Sequence, residues 1–242
     1  MLNANSPIPL YHQLKSYLQD LILQGVLKPG ERIPTEKELE ERFRISRTTV
    51  RQAIGDLINE GLLVRVHGKG TFVAQPRIQQ HLGLLTSFTQ DMEAHRRTPS
   101  SRVLQFETCP ATPQVARALQ LKVGEQVILL KRVRLADEQP LALETAHLPA
   151  EPFRALLDLD MRQRSLYATL KAHFGVEPRR ALQQMEAVAC PAEEARHLQV
   201  SRGSPILHIY RTTFDQSDKP FEFVESYYRS DRFFFTMEIW SK

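Results

Sequence analysis

Cysteine is nearly absent: Cys109 and Cys190 are the only two in 242 residues. Their number and separation exclude a disulfide framework or a paired-cysteine metal knuckle, and both read as small buried residues. Long apolar runs are missing too. No window approaches the roughly 20 uncharged apolar residues that a membrane span needs. The N-terminal MLNANSPIPLYHQLK lacks the apolar stretch of a signal peptide, so a cytoplasmic protein with no membrane partner is expected. Neither GxGxxG nor a GxxxxGK followed by Ser or Thr occurs, which removes the glycine-rich nucleotide cradles. No nucleophile–base pair and no metal-ligand spacing stands out, so no catalytic residue, cofactor or metal is expected.

The chain is 42% hydrophobic and 25% charged, ordinary values for a packed protein, and its length suits two domains better than one. The formal net charge is +4, unevenly placed. Residues 1–80 hold 11 Lys and Arg against 8 Asp and Glu, while residues 81–242 hold 21 against 20. A mildly basic N-terminal third permits a nucleic-acid partner without demanding one.

That third carries its own punctuation. Leu10, Leu14, Tyr17, Leu18, Leu21 and Ile22 make an apolar stripe of helical period, opened by Pro9 and closed by Gly25. After Lys28-Pro29-Gly30, Thr35 and Glu38 fit a capping box for a second helix to about Phe43. A short turn at Arg44-Ile45 leads to Ser46, an N-cap, and Val50, Ala53, Ile54, Leu57 and Ile58 carry a third helix to Gly61. Residues 62–66 and 71–74 then flank His67-Gly68-Lys69-Gly70, a hairpin pattern.

Two helices joined by a tight turn and followed by a hairpin spell a winged helix-turn-helix over residues 1–74, whose third helix enters the DNA major groove. With its apolar stripe buried, that helix leaves Arg47, Thr48, Arg51 and Gln52 free to reach bases. Ser46 and Thr49 offer hydroxyls at the helix start for a phosphate. Gly68 and Gly70 let the wing approach the duplex, Lys69 adds charge and His67 a donor. Thr35, Lys37 and Arg44 complete the expected DNA-binding set. Taken alone, four arginines read more readily as a solvated surface; the capping box, tight turn, basic helix start and glycine-rich wing together favour DNA.

The segments 9–14, 25–36, 46–53 and 68–73 resemble the GntR family of bacterial repressors. The resemblance implies guanine contacts for Arg47 and Arg51, backbone or base contacts for Thr48 and Thr49, and minor-groove entry by Gly68. The family usually has arginine where this chain has Lys37, and an ammonium lacks the fork for a bidentate guanine contact.

Residues 75–80 read as a polar linker, and a second domain runs from 81 to 242. Alternating helical and strand patterns with short hairpin turns, such as 137–140 and 215–219, give an antiparallel-sheet α+β fold. Helices are expected near 88–95, 113–119, 153–158, 165–174 and 191–199. Strands are expected near 102–107, 126–136, 141–148, 181–189, 205–215, 220–229 and 232–240. Within this pattern Arg132 and Arg134, two residues apart on one strand, share a face. An odd hairpin loop brings Glu144 to that face and an even loop turns it away; a surface ion pair is the plainer alternative. Ser165 caps a helix whose free amides suit an anion. Alternation puts Glu225, Tyr227 and Arg229 on one face of a later strand.

Residues 85–92, 99–103, 132–137, 164–167 and 228–232 are similar to UTRA, the effector domain of the HutC subfamily of GntR regulators, whose fold resembles chorismate lyase. The resemblance implies a small-metabolite site with Arg132, Arg134, Ser165, Leu166, Tyr167 and Thr89 on an anion, and Glu144 and Glu225 on the ligand's polar body; Tyr227, which alternation puts on the face of Glu225, joins the expected set. The expected partners are a double-stranded, pseudo-palindromic DNA operator, a small anionic metabolite (sugar phosphate or carboxylate, such as a hexosamine phosphate or urocanate) and a second copy in a homodimer. A lyase-like enzyme and an effector-independent DNA-binding protein are the alternatives.

Overall fold

The computed structural model describes residues 2–3, 6–66, 68–75 and 77–241. The chain divides into two compact units, Met1–Pro76 and Arg77–Lys242. No helix among the described residues is long and apolar enough to cross a membrane.

In the first unit, α1 (Leu10–Leu23), α2 (Glu36–Phe43) and α3 (Arg47–Asn59) precede a hairpin of β1 (Leu63–Val66) and β2 (Gly70–Val73). Local chemistry sets these boundaries. Thr35 accepts the Glu38 amide at 3.2 Å while the Glu38 carboxylate takes the Thr35 amide at 2.7 Å, the reciprocal bonds of a capping box. That amide, with the Thr35 hydroxyl, holds the Glu38 carboxyl below its usual range. Arg44 ends α2 in the left-handed region at φ 52°, so α3 can start three residues later at a new angle. Leu14, Leu18, Leu39, Val50, Ala53, Ile54 and Leu57 are buried together with Leu63 and Val73 of the hairpin, so the wing is tied into the helical core.

The second unit is built on a six-stranded antiparallel sheet. Its strands are β4 (Pro99–Pro110), β5 (Gln126–Ala136), β6 (Gln139–Pro149), β7 (Arg180–Ala189), β8 (Pro205–Phe214) and β9 (Pro220–Arg229), in the order β4-β5-β6-β9-β8-β7. One face packs against α6 (Ala150–Phe153), a 3-10 turn at Arg154–Asp158 and α7 (Leu166–Phe174), and, further along, against α4 (Phe88–Ala94). The other face carries α5 (Pro113–Leu119) and α8 (Ala192–Leu198).

Three expectations need correction. Residues 75–80 are not a linker throughout, because Ile78–His81 forms β3, paired in parallel with β10 (Phe233–Thr236). Ile78 and Gln80 turn inward there, and the partner strand lies more than 150 residues away, so no local pattern announces it. The antiparallel expectation holds for the six-stranded sheet, and this two-stranded pair is separate from it. The helix near 153–158 is one α-turn followed by a 3-10 turn, and the final strand spans four residues rather than nine.

Candidate functional site

Two places gather the residues singled out above. On the head, Ser46 caps α3 by accepting the Thr49 amide at 3.2 Å, and the two hydroxyls lie 2.8 Å apart, so both are engaged at the helix start. Arg47, Thr48, Arg51 and Gln52 are exposed, on the side away from the buried Val50, Ala53, Ile54 and Leu57. Arg44 is exposed in the preceding turn. Lys37 is exposed on α2 with Glu41 3.8 Å away, and Thr35 is spent on its cap. In the wing, Gly68 and Lys69 are exposed, and Gly68 has φ 71°. Gly70 sits at φ 123°, and a Cβ there would meet Arg32 Nε at 2.7 Å, so only glycine fits without displacing that side chain. His67, expected in the DNA-binding set, lies outside the described residues.

In the second unit a cavity opens on the sheet face beneath α4 and α7. Thr89, Arg132, Arg134, Glu144, Ser165, Leu166 and Tyr167 all line it. Sheet register explains how. Arg132 of β5 pairs with Glu144 of β6, which pairs with Ser226 of β9, which pairs with Ile209 of β8, so four side chains from four strands face one side. The β5–β6 loop is the two-residue Asp137-Glu138, both at positive φ. An even loop alone would set Arg132 opposite Leu143 and turn Glu144 away. A bulge between Arg134 and Leu135 shifts the register by one residue and brings Glu144 back, opposite Arg132 rather than Arg134.

Electrostatics in the cavity are concentrated. Arg132 and Arg134 are 2% and 3% exposed. Arg132 donates through Nη2 to Glu144. Arg134 donates through Nη2 to the Thr89 hydroxyl at 3.0 Å and stacks over the Phe88 ring at 4.6 Å. The Nε and Nη1 atoms of both arginines have no partner among the described residues. Burial and the neighbouring Arg132 charge pull the Arg134 guanidinium down to about 10, leaving it charged near neutrality. Burial pushes the Glu144 carboxyl up, but Arg132 and Arg134 outweigh it and hold the group below its usual range. Ser165 caps α7 by accepting the Ala168 amide at 3.4 Å, so the amides of the helix's first turn border the same space.

The expectation for Glu225 and Tyr227 is overturned. They occupy the opposite sheet face: Glu225 Oε1 lies 2.8 Å from His208 Nε2, and the Tyr227 ring stacks on His208 at 4.2 Å. Because Ser226 is the residue paired with Glu144, parity sends its neighbours outward and Glu222, Val224 and Tyr228 inward. Glu222 accepts from Tyr167 at 2.7 Å and from Thr213 at 2.9 Å, and burial pushes both the Glu222 carboxyl and the Tyr167 phenol up. Sequence reading missed Glu222, Arg211, Ser226, Tyr228 and Gln80. The one available signal was Arg211, the single Lys or Arg in its strand.

Comparison with known proteins agrees with this two-part layout. Residues 10–73 match the family described as bacterial regulatory proteins, gntR family, and residues 94–233 match the UTRA domain. The chain is 40% identical over 234 residues to the HTH-type transcriptional repressor NagR of Bacillus subtilis, covering 97% of this chain and 96% of that protein. It is 31% identical to the mannosyl-D-glycerate transport/metabolism system repressor MngR of Escherichia coli, covering 95% of each. The crystal structure of PhnF from Mycobacterium smegmatis superposes with a TM-score of 0.70 at 31% identity, covering 94% of this chain and 99% of that one. These relatives are transcriptional regulators, not enzymes.

Proposed function

The chain belongs to the GntR family of bacterial regulators and is a transcriptional repressor with a UTRA domain, and from that premise we propose that its hold on DNA is governed by a small anionic metabolite bound between α7 and the β5–β6–β9–β8 face. The observation that carries this reading is the pair of buried guanidiniums, Arg132 and Arg134, with four nitrogens lacking a partner among the described residues. Such atoms are costly to bury unpaired, and a phosphate or carboxylate satisfies them in the bidentate manner guanidinium favours. The α7 amides add donors and a favourable dipole end. Glu144, Glu222 and Tyr167 supply acceptors and a hydroxyl for a polar ligand body. Relatives named as repressors of fructoselysine utilization and of a mannosyl-D-glycerate system are in keeping with a sugar phosphate or sugar acid.

On the head, Arg47 and Arg51 read base edges in the major groove while Thr48, Thr49, Ser46 and Lys69 engage the backbone and wing side. Two copies bind the two halves of a pseudo-palindromic operator in the cytoplasm. For release, the metabolite must prefer the head arrangement that does not fit DNA.

The test is thermal unfolding of the full chain with inorganic phosphate, hexosamine phosphates, other sugar phosphates and organic acids. A ligand at 100 times its dissociation constant adds about 2.7 kcal/mol and raises the melting temperature. The same ligand should release bound DNA and should lose its effect in Arg134→Met. No shift with any anion, or an unchanged shift in that variant, contradicts the assignment and leaves an effector-independent DNA binder.

A further inference from the structure

A carboxylate on a surface that docks to phosphates needs a reason to be there. Glu36, the first residue of α2, lies in a cleft between the start of that helix and the wing, bordered by Arg32, Lys37, Arg65 and Gly70. One of its oxygens takes Arg65 Nη2 at 3.0 Å, and the other lies 3.7 Å from Arg47 Nε. A single group therefore joins three elements: the start of α2, the first residue of α3 and the first wing strand. The Glu36 side chain is only 26% exposed, while those of Arg47 and Arg65 are 71% and 50% exposed, so both guanidiniums reach past it toward solvent. Contact with Arg47 is made at Nε. The two terminal nitrogens of Arg47, the pair that a guanine edge accepts, have no protein partner among the described residues.

We propose that Glu36 is a positioning residue for operator recognition. It fixes the direction in which Arg47 presents its terminal nitrogens and ties that direction to the wing through Arg65. Its charge also opposes the approach of phosphates to the cleft, on matched and mismatched duplexes alike, so discrimination comes through Arg47 alone. Exposed ion pairs add little stability, so a stabilising role does not account for the arrangement. The inference rests on the reading of Arg47 as a base-contacting residue, and its test separates the two.

Full-length wild type, Glu36→Gln, Arg47→Ala and the double variant are compared on a duplex selected by the wild type from a random pool and on its scrambled counterpart, at matched salt. Glu36→Gln should weaken binding to the selected duplex by about three- to tenfold and tighten binding to the scrambled one by about threefold, with the melting temperature little changed. In the Arg47→Ala background it should leave the ratio of the two affinities where Arg47→Ala alone has put it. A ratio unchanged by Glu36→Gln while Arg47→Ala lowers it overturns this inference alone, as does an effect that persists without Arg47. A ratio indifferent to Arg47→Ala overturns the base-reading assignment and this inference with it.

Discussion

Arg132→Met is the most exacting perturbation of the cavity, because it tests whether the guanidinium serves the fold as well as the ligand. Arg132 is 2% exposed as a side chain and paired with Glu144, which is 14% exposed. Removing one partner of such a pair leaves the other charge uncompensated, a loss of about 3–5 kcal/mol. Glu144 keeps some solvent contact and still feels Arg134, which favours the lower end. At about 3 kcal/mol, and roughly 2–4 °C per kcal/mol for a unit of this size, the second unit should melt about 6–12 °C lower. Arg132→Met combined with Glu144→Leu removes both charges and should recover most of that loss, since an apolar pair of similar volume substitutes well for a buried ion pair. Scanning calorimetry of the full chain, which resolves separate transitions, measures both. The folded double variant should still bind operator and no longer respond to the anionic probes. A single variant that melts with the wild type, or a double variant that melts as low as the single, refutes the reasoning.

Arg47→Ala and Arg51→Ala should each cost about 1–3 kcal/mol on a selected operator and little on random DNA, whereas Lys69→Ala should weaken both alike and reduce the slope of affinity against salt by about one ion; equal losses on random DNA for the arginines would contradict base reading. Glu222→Gln should stabilise the second unit at neutral and mildly alkaline pH. Burial raises the Glu222 carboxyl in the folded state, so the wild type is favoured below the unfolded value of about 4.3 and loses stability as pH rises through the folded value. The advantage of the variant should therefore vanish near pH 4. Melting curves between pH 4 and 8 decide the matter, and an advantage that grows toward acid would reverse the sign of the argument.

How much of this was legible beforehand follows the range of the interactions concerned. Capping boxes, helix stripes and the glycine-bearing wing are encoded within a few residues, and Thr35 with Glu38 and Ser46 with Thr49 form as their spacing implies. Alternation alone put Arg132 and Arg134 on one face. What failed depended on distant partners. The pairing of β3 with β10 joins the two ends of the second unit, and the polar Gln79 and Gln80 give no sign of it. The parity of β9 is set by its register with β6, which is not its neighbour in sequence, so Glu225 was chosen where Glu222 faces the cavity.

The same parity argument shows why this wall of the cavity carries incompletely paired positive charge. One bulged residue beside Arg134 decides whether Glu144 compensates the arginines or points away. With it in place, one carboxylate serves two guanidiniums, and among the described residues it is bonded only to Arg132. Arg134 is left with a threonine hydroxyl and a phenylalanine ring, depressed by burial and by its like-charged neighbour. A cavity holding one more positive than negative charge on this wall is strained in the direction that an anion relieves. An anion that draws the Arg134 guanidinium also competes with Thr89 and Phe88 for it, and both belong to α4, the first helix after β3. In the proposed function, a metabolite's gain in charge pairing therefore acts on α4.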